Sequence, residues 1–323
     1  MSERAEQGTL SKKVVILTGG WSDEREIAKD SARAVAEALA EAGFEHVDMI
    51  DVAEPDIATR IANGGYDVAF IVMHGVYGED GCIQGMLEIL HIPYTFSGVA
   101  ASATATDKHL AKLVYDAAEI PTPHGIKVHK PEDLDEALEQ RIYDELGDSL
   151  FVKPCSNGSS FGVTRVTERR QLRDAVALAC SEGQDALVEE LVEGTEITVS
   201  VIGNGPDAQA LPIVEIVTGA EFYDLKVKYE PSELHHVIPA RLPEDVYARA
   251  QALAVRAHQA LGCRGVSRSD FIVRPDGTPV ILETNTIPGM TKTSLLPDAA
   301  RHAGIEFPEL CRRFVEFALE EDR

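Results

Sequence analysis

The chain has 323 residues, long enough for two or three domains that each bury a core, and its 44% hydrophobic and 26% charged residues are ordinary for a globular protein. A formal net charge of −24 argues against a nucleic-acid or anionic-membrane surface, since either needs a basic face against phosphate. Any phosphorylated ligand must then be met by locally gathered lysines or by a metal.

Five scattered cysteines without a CxxC pair fit a reduced cytosolic compartment. With no signal-peptide core and no apolar run of about 18 residues, the expectation is a soluble cytoplasmic protein with neither membrane nor nucleic-acid partner.

Near the start, KKVVILTGG is a β-branched run ending in two glycines, which suits a buried strand and a sharp turn. The following WSDEREIAKDSARAVAEALAEAG has apolar positions near helical spacing, with Ser22 or Asp23 able to cap its start and Gly43 to close it. A β-like patch at residues 47–52 and a strand at 66–75 come next. These spacings predict a parallel α/β domain whose functional loops lie beyond the strands' C-terminal ends, and Glu24 and His74 fall in such loops.

From about residue 106 the texture changes. TDKHLAKLVYDAAEIPTP is a capped helix stopped by Pro121 and Pro123, and LDEALEQRIYDELGD is a second, charged helix. SLFVKPCSNGSSFGVTRV reads as strand, glycine-serine loop and strand, followed by a helix near residues 169–180 and the strand DALVEEL. The remainder carries long β stretches, a charged loop in which His235 and His236 are solvated, the helix EDVYARAQALAVRAHQAL, a hairpin and a C-terminal helix. Three domains, 1–100, 101–190 and 191–323, fit this order.

The hairpin RSDFIVRPDGTPVILETN turns at Asp276-Gly277, a strong signal for a two-residue type I′ turn. Residues facing each other across it then place Asp270 opposite Glu283 and Arg268 opposite Asn285, all on one face. Opposed carboxylates repel unless neutralised, and this oxygen-rich set suits Mg²⁺; a solvated sheet end with a surface ion pair is the alternative.

In KPCSNGSS, Lys153 ends a strand ahead of small residues whose amides can cradle phosphate, and Lys108 occupies the first turn of a helix, where a shared anion would explain a cation. LVEELVEGTEITVS places Glu189 and Glu196, acceptors for ribose hydroxyls, around a turn at Glu193-Gly194. FYDLKVKYEPSELHH offers Lys226, Lys228 and Tyr229 in a polar loop able to close over a site. Cys155 is read as a small neutral filler.

Nearly the whole chain, in order, resembles the D-alanine–D-alanine ligases of the ATP-grasp superfamily: LTGGWSDEREIA, MHGVYGEDGCIQGMLEILHIPYTFSGVAASATATDK, FVKPCSNGSSFGV, LVEELVEGTEITV, FYDLKVKY, GCRGVSRSDF and ILETNTIPGMTKTSLLP. The resemblance implies a mixed α/β and α+β, three-domain ATP-grasp architecture with an N-terminal parallel α/β domain. It implies ATP-dependent joining of two D-alanines through an acyl phosphate for peptidoglycan precursors. A homodimer and two Mg²⁺ ions, with Mn²⁺ an acceptable substitute, come with it.

By position, Lys108 and Lys153 would contact ATP phosphates. Glu189, Glu196 and the Val192 backbone would hold the adenine and ribose, and Asp270, Glu283 and Asn285 the metal. Glu24, Ser159 and Tyr229 would order the first D-alanine's site, with His74 near its carboxylate. Lys228 would reach the transferred phosphate, Arg268 and the Gly289 amide would stabilise the tetrahedral intermediate, and Ser294 would bind the second substrate's carboxylate. The closing loop commonly reads YDYEAKY in the family, so Leu225, Lys226 and Val227 depart from it. Rival readings are an ATP-grasp ligase with another acceptor, such as D-lactate or D-serine, and a non-catalytic nucleotide-binding descendant.

Overall fold

The computed structural model describes residues 8–22, 24–156, 162–181, 184–218 and 234–320. Ser159, Lys228, Tyr229 and the altered loop residues at 225–227 lie outside them.

The first sheet holds β1 (Lys13–Thr18), β2 (His46–Asp51) and β3 (Val68–Ile71), all parallel in the order β2-β1-β3. The central β1 is buried almost throughout and β3 entirely, as strands covered on both faces must be, whereas the edge strand β2 is largely exposed. The helix Arg25–Glu41 turns Ala28, Ala32, Val35 and Leu39 inward at helical spacing. Its N-cap is Glu24 without a side-chain cap bond, rather than Ser22, because the chain makes one more turn first, with Arg25 N donating to Ser22 O at 3.1 Å; Asp23 lies outside the described residues.

The second sheet is antiparallel, with β4 (Gly125–Val128), β5 (Leu150–Pro154), β6 (Thr164–Val166) and β7 (Ala186–Glu190) in the order β4-β7-β5-β6. The helices Glu136–Leu146 and Leu172–Ala179 share its core through Ile142, Leu172 and Val176 against Val128, Leu150, Val152 and Val188.

The third sheet comprises β8 (Thr195–Ile202), β9 (Gln209–Ala210), β10 (Val214–Thr218), β11 (Leu234–Val237), β12 (Val266–Val273) and β13 (Pro279–Asn285). Its order is β11-β10-β8-β12-β13, with β9 paired to β8. Ala111, Tyr115 and Ile120 join its core beside Ile197, Phe271 and Ile281, so the helix Lys108–Ala117 packs here although it precedes the second sheet in sequence. The last helix, Phe307–Leu319, returns to the first sheet, where the Phe314 ring lies 5.2 Å from Phe96 and 6.4 Å from Phe70. Among the described residues no helix is long and apolar enough to cross a membrane.

Candidate active site

The β12–β13 ladder pairs Asp270 with Glu283 and Arg268 with Asn285, the predicted facing residues, but by another route. Gly277 N donates to Arg274 O at 2.8 Å and Arg274 N to Thr278 O at 2.9 Å, which closes a three-residue loop rather than a two-residue type I′ turn. Gly277 at φ +83° supplies the left-handed residue that such a loop needs. Phe271 therefore faces Ile281, and a bulge at Leu282 shifts the ladder by one before Asp270. The odd loop and the bulge cancel.

On the buried side of this ladder, Tyr115 Oη donates to Thr284 Oγ1 at 2.8 Å, and the Ser269 hydroxyl lies 2.8 Å from the same oxygen. Burial pushes the Tyr115 phenol far up, so it remains a donor. On the other side, Arg268 Nε and Nη2 donate to the two Asp270 oxygens at 3.0 and 2.9 Å, and Thr198 Oγ1 donates to Asp270 Oδ1 at 2.5 Å. Lys108 Nζ lies 3.3 Å from Glu283 Oε2, and Asn285 Oδ1 accepts from Ile287 N at 2.8 Å.

Lys108 is the first residue of its helix; the Asp107 side chain caps it by accepting from His109 N and Leu110 N. The Lys108 amide donates to Cys155 O at 2.8 Å, fixing this helix end against the segment that follows β5. Among the described residues no three His, Cys, Asp or Glu side chains gather as a metal cluster; the set here is two carboxylates and an amide. That donor set fits a hard divalent cation that completes its shell elsewhere, and the cationic ends of Lys108 and Arg268 already seated on the two acids show which charge the face attracts.

Beside this face, Glu189 is buried between two lysines, with Oε2 2.5 Å from Lys153 Nζ and Oε1 2.5 Å from Lys112 Nζ. Burial pushes the Glu189 carboxyl up, but the two ammoniums outweigh it and hold it below the ordinary carboxylate range. Lys112 escaped sequence reading, although its spacing of four from Lys108 on one helix face was a usable signal. Val192 is partly buried in the connection from β7 to β8, and Glu196 on β8 faces Ile272. Gly194 in that connection is required by close approach, since a Cβ would lie 2.0 Å from Val273 O. Cys155 is buried, and that burial pushes its thiol up to about 12, so it is a neutral filler as expected.

The remaining residues arrive from loops. Buried His74 follows β3, with Nδ1 3.5 Å from Glu79 Oε1, while the other Glu79 oxygen accepts from Gly75 N at 2.8 Å. Burial lowers the His74 pKa, but the Glu79 hydrogen bond and charge, aided by Glu24 and opposed by Arg268, leave it raised. The same balance ties Glu24, His74 and Arg268 electrostatically across two sheets. Glu79 was also missed, although it lies in the quoted GVYGEDG stretch.

Ser294 is the N-cap of the helix Leu295–His302; its hydroxyl accepts from Thr291 N at 3.1 Å and would lie 2.9 Å from a Cβ at Gly289. These two residues are therefore neighbours. His236 is not a solvated loop residue: it sits in β11, partly buried, with Nδ1 3.6 Å from Asp298 Oδ2, because β11 pairs with β10 and faces that helix.

The chain matches the family model described as D-ala D-ala ligase N-terminus over residues 51–97 and that described as D-ala D-ala ligase C-terminus over residues 114–316. It is 44% identical to the D-alanine–D-alanine ligase of Desulforamulus reducens, over 97% of this chain and 100% of the relative. Identity to the ligase of Pelotomaculum thermopropionicum is 46%, over 96% and 98%. The solved D-alanine–D-alanine ligase from Bacillus anthracis complexed with ATP superimposes with a TM-score of 0.82 at 31% identity, covering 96% of this chain and 97% of that one. VanG D-Ala:D-Ser ligase from Enterococcus faecalis gives 0.82 at 28% identity, covering 96% and 100%.

Proposed function

The chain belongs to the D-alanine–D-alanine ligase family, and we propose that it joins two D-alanines into D-alanyl-D-alanine for cell-wall precursor synthesis. The reaction is ATP-dependent and passes through an acyl phosphate, releasing ADP and phosphate. A divalent cation held by Asp270, Glu283 and Asn285 supplies charge neutralisation between the two anions that must meet. Two Mg²⁺ ions would serve there, and Mn²⁺ could replace them.

This chain's residues then divide the work. Lys108 and Lys153 take ATP phosphates, while Glu189, Glu196 and the Val192 backbone hold the adenine and ribose. Glu24, His74, Ser159 and Tyr229 order the first D-alanine, whose carboxylate oxygen takes the phosphoryl group with Lys228 beside it. The amine of the second D-alanine, held through its carboxylate by Ser294, attacks the carbonyl carbon. Arg268 and the Gly289 amide hold the oxyanion until the tetrahedral species expels phosphate.

The chain then comprises a first-substrate domain at 1–100, a central ATP-grasp domain at 101–190 and a C-terminal ATP-grasp domain at 191–323 that carries the cation site. The enzyme acts in the cytoplasm as a homodimer, with D-alanine and ATP as its ligands and neither nucleic acid nor membrane as a partner.

The observation that carries it is the opposed pair Asp270 and Glu283, with Asn285 on the same face and Arg268 and Lys108 against the acids. ADP release should follow addition of D-alanine, ATP and Mg²⁺. Parallel reactions with D-lactate or D-serine as a second substrate, at several pH values, identify the acceptor. No turnover with D-alanine alone would sink the proposal.

A further inference from the structure

Lys112, Glu189 and Lys153 form a buried group of two ammoniums and one carboxylate, an excess of one positive charge beside the cation-binding face. Such an excess is costly to bury unless an anion shares it. Lys153 is the member at the end of β5, next to the glycine-serine loop, whereas Lys112 is held from behind: its Nζ also donates to Thr122 Oγ1 at 3.0 Å. The Thr122 hydroxyl donates in turn to Ile281 O at 3.1 Å, and Ile281 N donates to Pro121 O at 2.8 Å, two residues before Glu283 on β13. Lys112 thus joins the β7 wall to the strand that carries the cation-binding acids.

We propose that Lys112 is a positioning residue for the nucleotide: it remains on Glu189 when Lys153 turns to the phosphates, so that Glu189 stays charged and aligned and Lys153 is free to leave it. This rests on the assignment of Lys153 and Glu189 to ATP made above. Without Lys112, Glu189 has Lys153 as its sole counter-ion of the pair and holds it back from the phosphates.

The test is a double-mutant cycle read in KM for ATP, KM for D-alanine and ATP–Mg²⁺ binding by calorimetry. Lys112→Met should raise KM and Kd for ATP about tenfold or more, with KM for D-alanine within about twofold of wild type. In a Glu189→Gln background, where no carboxylate is left to hold Lys153, the same change should cost less than about twofold, and that non-additivity is a readout that mere loss of packing does not give. Lys112→Arg, which keeps the charge, should recover most of the ATP affinity.

Equal effects of Lys112→Met in both backgrounds, or an unchanged KM for ATP, overturn the inference. If Lys112→Met does not fold, Thr122→Val removes one anchor of the ammonium without stranding a charge. A KM for ATP raised about threefold at constant KM for D-alanine then supports the inference, and no change overturns it. A wild-type chain that binds no ATP refutes the assigned function instead, so the two failures are distinct.

Discussion

The β5–β7 wall and the β12–β13 ladder hold their carboxylates on opposite plans. At the β5–β7 wall one carboxylate, Glu189, has two lysines and a side chain only 3% exposed; at the β12–β13 ladder Asp270 meets Arg268 and Glu283 meets Lys108, and Glu283 is 37% exposed. The wall therefore sets two ammoniums on one carboxylate in a buried place, while the ladder sets two carboxylates face to face on a partly exposed sheet end. Under the proposed function, phosphate belongs to the first and a cation to the second, without either region needing a basic or acidic surface at large. A chain of net charge −24 can bind a polyanion because the compensation is local.

If the ladder is the cation site, Asp270→Asn should produce the largest effect, a fall of about 100-fold or more in kcat at ordinary Mg²⁺, together with a steeply raised Mg²⁺ requirement. ADP release across a Mg²⁺ titration measures it, and an unchanged curve would refute the role. A smaller effect is expected where the two plans meet, because Lys108 reaches Glu283 from the helix that also carries Lys112. Lys108→Met should raise KM for ATP about tenfold while leaving thermal stability close to wild type.

Smaller again, Tyr115→Phe removes a buried donor beneath the ladder without touching its polar face. About 1 kcal/mol of stability should be lost in urea unfolding, leaving Mg²⁺ dependence nearly unaltered. A changed Mg²⁺ curve would mean that the buried and polar sides of the strand are not independent.

The smallest effect concerns the N-terminal loops. Because the folded-state pKa of His74 is raised, its interaction with Glu79 stabilises the fold fully below the unfolded value of about 6.5 and is lost as pH rises through the higher folded value. Unfolding free energies of wild type and Glu79→Gln from urea titrations should accordingly differ most at about pH 5.5 and least at about pH 8.5, by less than about 1 kcal/mol. A gap that widens with pH has the wrong sign for this pair.

Much of this was legible in the sequence because it is local. Alternation and turn residues located the hairpin, helix capping located Lys108, and motif order located the family. What escaped depends on contacts across long separations: Lys112 meets Glu189 across 77 positions, and Tyr115 meets Thr284 across 169. No periodicity announces such partners, and the return of the last helix to the first sheet is of the same kind. The facing of Asp270 and Glu283 was legible by a different fortune, since the sequence supports a two-residue turn and the molecule uses a longer loop with a compensating bulge.

That bulge changes what a position on β13 means. Before it, Pro279 and Ile281 face Val273 and Phe271 and are buried; after it, Glu283 and Asn285 share their odd numbering yet belong to the opposite side, while Thr284 takes over the buried row. In a saturation mutagenesis of this strand, 279–281 should all resist charge, and tolerance should open only from Leu282 onward, with Thr284 again restricted. Charge should be rejected at buried 281 and, under the proposed function, required at 283, so a library or alignment that treats alternate residues as equivalent will mix core with cation-site positions.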